Sequence, residues 1–167
     1  MPATKISNPR DLLVLLLGEL LFVERRLADA VIDELASQVR DEELRGALRE
    51  HREETKRHVE RVETAFRLIA VAPTSNLTRP FESAVSQHDE LQTSITEAGL
   101  GDVFHAQSAL HTEHWEIAAY TAVIAVAEAM GHDDAARTLR DSLEDEERAR
   151  NRLTKAVSRL AQGACAR

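Results

Sequence analysis

Glu24, Glu54, Glu116 and Glu146 all fall where the surrounding three- and four-residue periodicity calls for apolar side chains. They form two pairs, and each pair has the same internal spacing of 30 residues. A carboxylate on the apolar face of a helix loses hydration and takes up a proton in preference to staying charged alone. Several at one level also repel one another, and only divalent cations, arginines or shared protons relieve that repulsion. Carboxylates repeated on the inward faces of paired helices are how a four-helix bundle builds a two-metal site. The pattern therefore points to long helices packed around a polar layer.

Local signals bound those helices. Asn8-Pro9 is a helix start, with a capping side chain followed by Pro at the first helical position. Leu13, Leu17, Leu20, Glu24, Leu27, Val31 and Leu35 then recur at helical steps, which predicts helix A over about 9–38. Asp41 is placed to cap helix B, about 41–71, whose inner residues include Leu44, Leu48, His51, Glu54/Thr55, His58 and Val62. The stretch APTSNLTRP is a loop, and an amphipathic piece over about 80–97 follows it with Phe81, Val85, Leu91 and Ile95. The run AGLGD reads as a second break ending at Asp102. Helix C then covers about 102–130, and helix D, with Asp133 as its cap, about 133–161. Leu139, Leu143, Glu146, Arg150 and Leu153 mark the expected inner face of helix D.

Connections A–B and C–D are short, so each pair forms an antiparallel hairpin, while B and C are joined by a long crossover. The fold expected is all-α: a single domain over 1–167, built as a ferritin-like antiparallel four-helix bundle with a short crossover helix between helices B and C. An ungapped offset of 92 residues sets Glu24 on Glu116, Val31 on Val123, Ile32 on Ile124, Arg45 on Arg137 and Glu54 on Glu146. The chain reads as a duplicated hairpin.

Composition narrows the function classes. The formal net charge of −8 excludes a general nucleic-acid or anionic-membrane footprint. Leu12 to Val23 is too short and too interrupted for a membrane span. The N-terminus lacks a signal-peptide pattern, and Cys165, the only cysteine, allows no intrachain disulfide. A soluble cytoplasmic protein is the expectation. No nucleophile motif, phosphate-binding glycine loop or paired-cysteine zinc spacing is present.

The candidate metal ligands are Glu24, His51, Glu54, Glu113, Glu116 and Glu146. His51, Glu54 and His58 share one stripe of helix B, and Glu113, Glu116 and Tyr120 share one of helix C. The sequence leaves open whether His51 or His58 ligates, and whether Glu146 or Glu147 serves on helix D. A carboxylate-rich set with imidazole suits two divalent ions, iron or manganese. The competing reading is structural: Arg150 on the inner face would neutralise the carboxylates and leave an ion-pair core. Tyr120 reads as a packed aromatic with a satisfied hydroxyl, and Trp115 as a helix–helix or dimer contact.

The runs LLFVERRL (20–27), EHREETKRHVERVE (50–63), TEHWEIAAY (112–120) and LEDEERA (143–149) resemble the YciE/YciF-type ferritin-like family of bacterial proteins, catalogued as a domain of unknown function and linked to stress responses. The resemblance spans about residues 9–161 and implies a dimetal bundle that forms homodimers. It carries no established reaction. The chain departs from the ferroxidase pattern of the wider superfamily, because Arg57 and Ala149 stand three residues after Glu54 and Glu146, where that pattern has His. Two functions follow: a dimetal-carboxylate protein working on dioxygen, peroxide or ferrous iron, or a non-catalytic helical module with a degenerate site that serves structure or protein interaction. The sequence does not decide whether the chain is an enzyme.

Overall fold

The capping chemistry at Asn8 starts the first helix as expected: its side chain accepts from the Asp11 N–H at 2.9 Å, with Pro9 at the first helical position. The structure is a computed structural model that describes residues 5–166, so residues 1–4 and 167 of the expected 1–167 domain lie outside the described residues. Helix α1 (Pro9–Arg26) passes into a single π-helical turn, Leu27–Val31, and on into α2 (Ile32–Gln38) without leaving right-handed helical backbone. These three segments make one rod over the expected span of helix A. Helix α3 (Glu42–Leu68) is capped by Asp41, which accepts from the Leu44 N–H at 2.9 Å. The crossover helix α4 (Arg79–Gln92), α5 (Ala98–Ala129) and α6 (Asp133–Cys165) follow. Among the described residues every regular element is helical.

Polar pairs between helices give their directions. Between α1 and α3, Arg10 reaches the Ile69 carbonyl at 3.4 Å and Arg25 reaches Glu63 at 2.7 Å. Between α3 and α6, Asp41 meets Arg159 at 2.7 Å, Glu54 meets Arg152 at 2.9 Å and Asp145 meets Arg61 at 2.7 Å. One residue number rises as its partner falls, so both pairs are antiparallel. The result is an antiparallel four-helix bundle with a crossover helix. The crossover loop is laid tightly over α1: the Asn76 N–H donates to the Gly18 carbonyl at 2.9 Å. A Cβ at Gly18 would sit 2.1 Å from Asn76 Nδ2, so the absence of a side chain there lets the loop pass.

The apolar core comes in two parts. Leu13, Leu17, Leu21, Phe66, Ile124 and Leu139 lie in one cluster, and Leu27, Ile32, Leu44, Leu48, Ala106 and Leu153 in the other. Glu24, His51, His58, Glu113, Glu116 and Glu146 are all buried; those on α3, α5 and α6 fall in sequence between the two clusters' residues, and Glu24 lies where one cluster gives way to the other on α1. The polar layer thus sits mid-bundle, where the packed side chains above and below hold each helix in a fixed rotation. Among the described residues no helix is long and apolar enough to cross a membrane.

Several boundaries differ from expectation for identifiable reasons. The crossover helix ends at Gln92 and not near 97, leaving Leu91 exposed. AGLGD is no break: Ala98 to Asp102 form the first turn of α5. Asp102 is consequently not a cap of its own helix. Its buried carboxylate accepts from the backbone N–H groups of Arg40 and Asp41, at 2.8 and 3.1 Å, and so fixes the α2–α3 turn from across the bundle. His132, not Asp133, holds the N-cap position of α6, and that helix runs four residues past the expected 161.

Removing Asp102 would strand two backbone donors at a half-buried turn. Asp102→Ala is expected to lower unfolding free energy by about 1–3 kcal/mol, whereas Asp133→Ala, at an exposed first turn, should cost less than about 1 kcal/mol. Chemical denaturation of the two variants checks the contrast; equal effects would contradict the assignment of Asp102 as a turn-fixing residue.

Candidate metal centre

Each of the four bundle helices sends side chains into the polar layer. Glu24 comes from α1, His51 and His58 from α3, Glu113 and Glu116 from α5, and Glu146 from α6. Glu24, His58, Glu116 and Glu146 are wholly inaccessible to solvent, and Glu113 and His51 are 3% and 6% exposed. Two groups form: His51, Glu113, Glu116 and Glu146 in one, and Glu24, His58 and Glu146 in the other. Within each group the donor atoms lie within 4.8 Å of one another, and Glu146 belongs to both. The set totals four carboxylates and two imidazoles, the inventory of di-iron and di-manganese bundles.

The donor atoms face one another without bonding. Glu24 Oε2, His58 Nδ1, Glu113 Oε2, both Glu116 oxygens and both Glu146 oxygens are buried and have no hydrogen-bond partner among the described residues. His58 Nδ1 approaches Glu146 Oε1 to 2.8 Å and Glu24 Oε2 to 3.5 Å, yet makes a well-formed hydrogen bond with neither. His51 Nε2 lies 3.3 Å from Glu113 Oε1 and 3.6 Å from Glu146 Oε2. Buried polar atoms are nearly always paired, so such a concentration of unpaired acceptors fits a cation-binding set.

Outside this set the two histidines are held alike. His51 Nδ1 faces Glu54 Oε2 at 3.3 Å, and Glu54 in turn accepts from Arg152 at 2.9 Å. His58 Nε2 faces Asp145 Oδ2 at 3.3 Å, and Asp145 accepts from Arg61 at 2.7 Å and also pairs with Arg148. A ring N–H given to the outer carboxylate leaves the other nitrogen's lone pair directed inward, the usual arrangement of a metal-bound imidazole. Tyr120, fully buried, donates a short hydrogen bond to Glu24 Oε1 and leaves Oε2 as the inward-facing oxygen.

Burial and mutual repulsion decide the protonation states. Burial, reinforced by the charges of Glu146 and Glu24, pushes Glu113 and Glu116 well above the usual carboxylate range. Burial also raises Glu24, against the opposing pull of His58. Burial alone would raise Glu146, but His58 and His51 outweigh it and hold that carboxyl low. For His58 burial favours the neutral ring, while Glu24 and Glu146 override it and lift its pKa from 6.5 to about 10. Without metal, protons on these groups do the neutralising that cations would otherwise do.

Residues 8–166 match the family described as Domain of unknown function (DUF892). The chain belongs to the DUF892 family. Within that family's likenesses, Protein YciF of Escherichia coli (strain K12) is 29% identical over 150 residues, covering 86% of this chain and 87% of that protein. The crystal structure of the E. coli stress protein YciF superposes with a TM-score of 0.87 at 25% identity, over 94% of this chain and 99% of that one. YcfI from Rhodopseudomonas palustris matches with the same TM-score of 0.87 at 28% identity, over 92% and 98%. A Xanthomonas campestris protein shares the fold at 20% identity, with a TM-score of 0.75 over 93% and 95%.

Within this DUF892 chain, the layer departs from the sequence reading on helix α3. Glu54, expected among the converging carboxylates, lies beside the layer, bound to Arg152 and His51. Fully buried Thr55 and His58 hold the inward positions. The inward residues of α3 are Leu44, Leu48, His51, Thr55, His58 and Val62, a four-three-four-three-four progression that Glu54 does not fit. On α6 the inward set is Leu139, Ser142, Glu146, Ala149 and Leu153, so Glu146 is in phase, Glu147 is exposed, and Arg150 turns outward to Asn151. Arg150 therefore neutralises nothing in the core. The arginines nearest the layer are Arg152 and Arg61, which pair with the outer carboxylates Glu54 and Asp145 and which the sequence reading did not single out.

The π-turn explains the phase error. From Glu116 to the inward position Glu146 is 30 residues, but from Glu24 to the inward position Thr55 is 31. A π-turn closes i→i+5 and so holds one residue more than an α-turn; here the Ile32 N–H bonds to the Leu27 carbonyl. The extra residue of the first hairpin is accommodated there, and an ungapped overlay of the two hairpins rotates α3 by one position. Arg52 donates at 2.9 Å to the Ala28 carbonyl within the widened turn, and also pairs with Asp33 at 3.0 Å.

These protonation states fix the sign of a pH effect on metal-free protein. Glu113 and Glu116 keep protons in the native state that the unfolded chain releases above 4.5, so native stability falls as pH rises through that window. His58 acts in the same direction: its contribution is complete below 6.5 and is lost as pH rises through about 10. Chelated protein is expected to melt at a lower temperature at about pH 9.5 than at about pH 6, and Glu116→Gln should flatten the slope. Thermal melts at the two pH values test this. A melting temperature that climbs over that interval in chelated wild-type protein would contradict the protonation scheme.

Proposed function

We propose that this protein is a dimetal-carboxylate protein of the stress-linked type, acting on dioxygen, peroxide or ferrous iron. In this reading Glu24, His58 and Glu146 hold one divalent ion, and His51, Glu113, Glu116 and Glu146 hold the other. The observation that carries it is the set of buried, unpartnered oxygen and nitrogen atoms converging from four helices. Four ionised carboxylates carry four negative charges, which two divalent ions neutralise. An oxygen-rich set with two imidazoles suits iron or manganese. Bound there, such a pair would supply Lewis acidity and one-electron chemistry toward an oxidant.

The protein's own contribution in this reading is orientation and exclusion. Asp145 and Glu54 keep the two imidazoles in the tautomers whose lone pairs face inward, and Arg61 and Arg152 keep those carboxylates ionised and in place. Tyr120 fixes the rotation of Glu24 through one oxygen. The apolar clusters on both sides keep water from competing for the carboxylates and lower the local dielectric. The description of the E. coli relative as a stress protein supports a role in stress. The family resemblance supports a homodimer, which light scattering in solution tests directly.

A second reading has its own support, because the R. palustris relative is described as a structural protein. There the polar layer would serve only to fix helix register, and the module would act by assembly or partner binding.

Metal analysis separates the two. Protein purified without chelator, or reconstituted with iron or manganese, is expected to hold two equivalents. At a free-metal concentration a hundredfold above the dissociation constant, binding adds about 2.7 kcal/mol of stability, so chelation should lower the melting temperature. Failure to retain either metal after reconstitution would favour the structural module.

The residue roles yield a graded series. Glu146→Gln removes a donor common to both ions and should reduce the stoichiometry below two. Glu54→Gln and Asp145→Asn should keep it while weakening metal affinity about 10–100-fold, and Arg150→Ala should change neither. Titration calorimetry reads all four; a full loss of stoichiometry in Glu54→Gln would make Glu54 a direct ligand.

A further inference from the structure

The two ends of the crossover helix α4 are held differently. At its start the Thr78 hydroxyl donates to the Glu19 carbonyl at 3.4 Å, and Glu82 pairs with Arg26 at 2.8 Å. Phe81, the one buried residue of α4, lies there too, with its ring 6.4 Å from that of Trp115. Past Val85, a single polar contact ties α4 to another helix among the described residues: His88 Nε2 lies 3.0 Å from Nδ1 of His105 on α5. The His88 ring also stacks on Phe104, with centroids 5.1 Å apart and planes within 8°. Leu91, beyond it, is exposed, and the helix ends at Gln92. The second half of α4 is thus fastened at His88.

A hydrogen bond between two imidazoles needs one donor and one acceptor. A proton on His88 is compatible with it, since that ring then donates to His105 and can give its Nδ1–H to Asp89 at 3.3 Å. A proton on His105 as well would set two N–H groups and two positive charges against each other. Buried His105 resists that proton: burial, then the charge of His88, lower its pKa below 6.5, and Asp102 opposes them. Asp102 faces the α2–α3 turn, where Asp41 pairs with Arg159 of α6. Glu34 of α2 and His111 of α5 complete the charged and titratable groups that line the cleft beside His88, apart from the metal centre and Asp89.

We propose that the His88–His105 pair is a proton-operated latch: it holds the second half of α4 against α5 at neutral pH and releases it in acid. The sign follows from His105. Undocked, it takes a proton as an ordinary histidine does, near 6.5; docked, it does so only at lower pH. The open form therefore binds more protons below 6.5, and docking weakens as pH falls. The metal-free polar layer responds oppositely, gaining stability as pH falls. A freed segment of half a dozen residues is too short to stay helical alone, so its amides open to water. Release also removes His88 from the wall of the cleft between the π-turn, α4 and α5.

Amide hydrogen exchange of the full chain at about pH 7.5, 6.5 and 5, corrected for the intrinsic rate at each pH, reads the opening. One excluded proton raises opening by up to about tenfold for each unit below 6.5, so protection over residues 87–92 should fall about three- to thirtyfold between 6.5 and 5. Helices α1 and α3 should keep theirs. His105→Gln retains a neutral donor and acceptor and should remove the acid response. His88→Ala should speed exchange over the same residues at least about threefold already at pH 7.5; it keeps the test open if circular dichroism shows His105→Gln unfolded. A fall below about threefold in wild-type protein overturns the latch. So does an equal fall in α1 and α3, which marks global acid unfolding. An undiminished response in folded His105→Gln, or unchanged exchange in His88→Ala, overturns it as well.

Discussion

The rest of this structure is organised around four carboxylates that share one buried layer. Isolated from water, Glu24, Glu113, Glu116 and Glu146 have no favourable state as bare anions, because desolvation and mutual repulsion act together. Protons, imidazolium and divalent cations are the available remedies. A protonated His58 beside an ionised Glu146 is the metal-free solution; two divalent ions with neutral imidazoles would be the metal-loaded one. The bundle tolerates the layer because apolar clusters on either side supply the packing that the layer cannot.

Precision comes from residues around that layer. Two chains of the same kind, Arg152–Glu54–His51 and Arg61–Asp145–His58, run inward from the bundle surface and end in an imidazole nitrogen aimed at the carboxylates. Each arginine offsets the charge of an outer carboxylate, and each outer carboxylate fixes a ring. The donor inventory equals that of familiar dimetal bundles, yet its distribution differs: both histidines sit on α3, and α5 contributes two glutamates. The Glu-x-x-His spacing is therefore absent although the same residue types are present in the layer.

The π-turn links the site to its surroundings. It restores the rotation of the first hairpin by absorbing one residue, and its Leu27 and Val31 line a cleft between the π-turn, α4 and α5. The same backbone irregularity thus shapes both the polar layer and one wall of the cleft beside it. Arg52 donates to the Ala28 carbonyl within the wider turn and so ties the irregularity to α3.

The sequence alone determined the helices, because caps such as Asn8 and Asp41 and the three- and four-residue apolar period act within a few residues along the chain. It also exposed the buried charge at Glu24, Glu116 and Glu146, since each interrupts an otherwise apolar stripe in phase. Rotation of one helix relative to another was not legible. Glu54 and Thr55 are adjacent, about 100° apart around α3, and the side that faces inward depends on a π-turn whose hydrogen bonds leave no residue signature. Asp102 illustrates the same limit: read from local spacing as the end of a break, it serves a turn some 60 residues away, reached only through the fold. His58 was visible in the stripe, but its claim to the layer over Glu54 needed the phase that Leu48, Val62 and the opposing helices impose. Local rules set where helices begin and end. Tertiary packing decided which side chains meet, because a one-residue rotation costs little within a helix and much between helices.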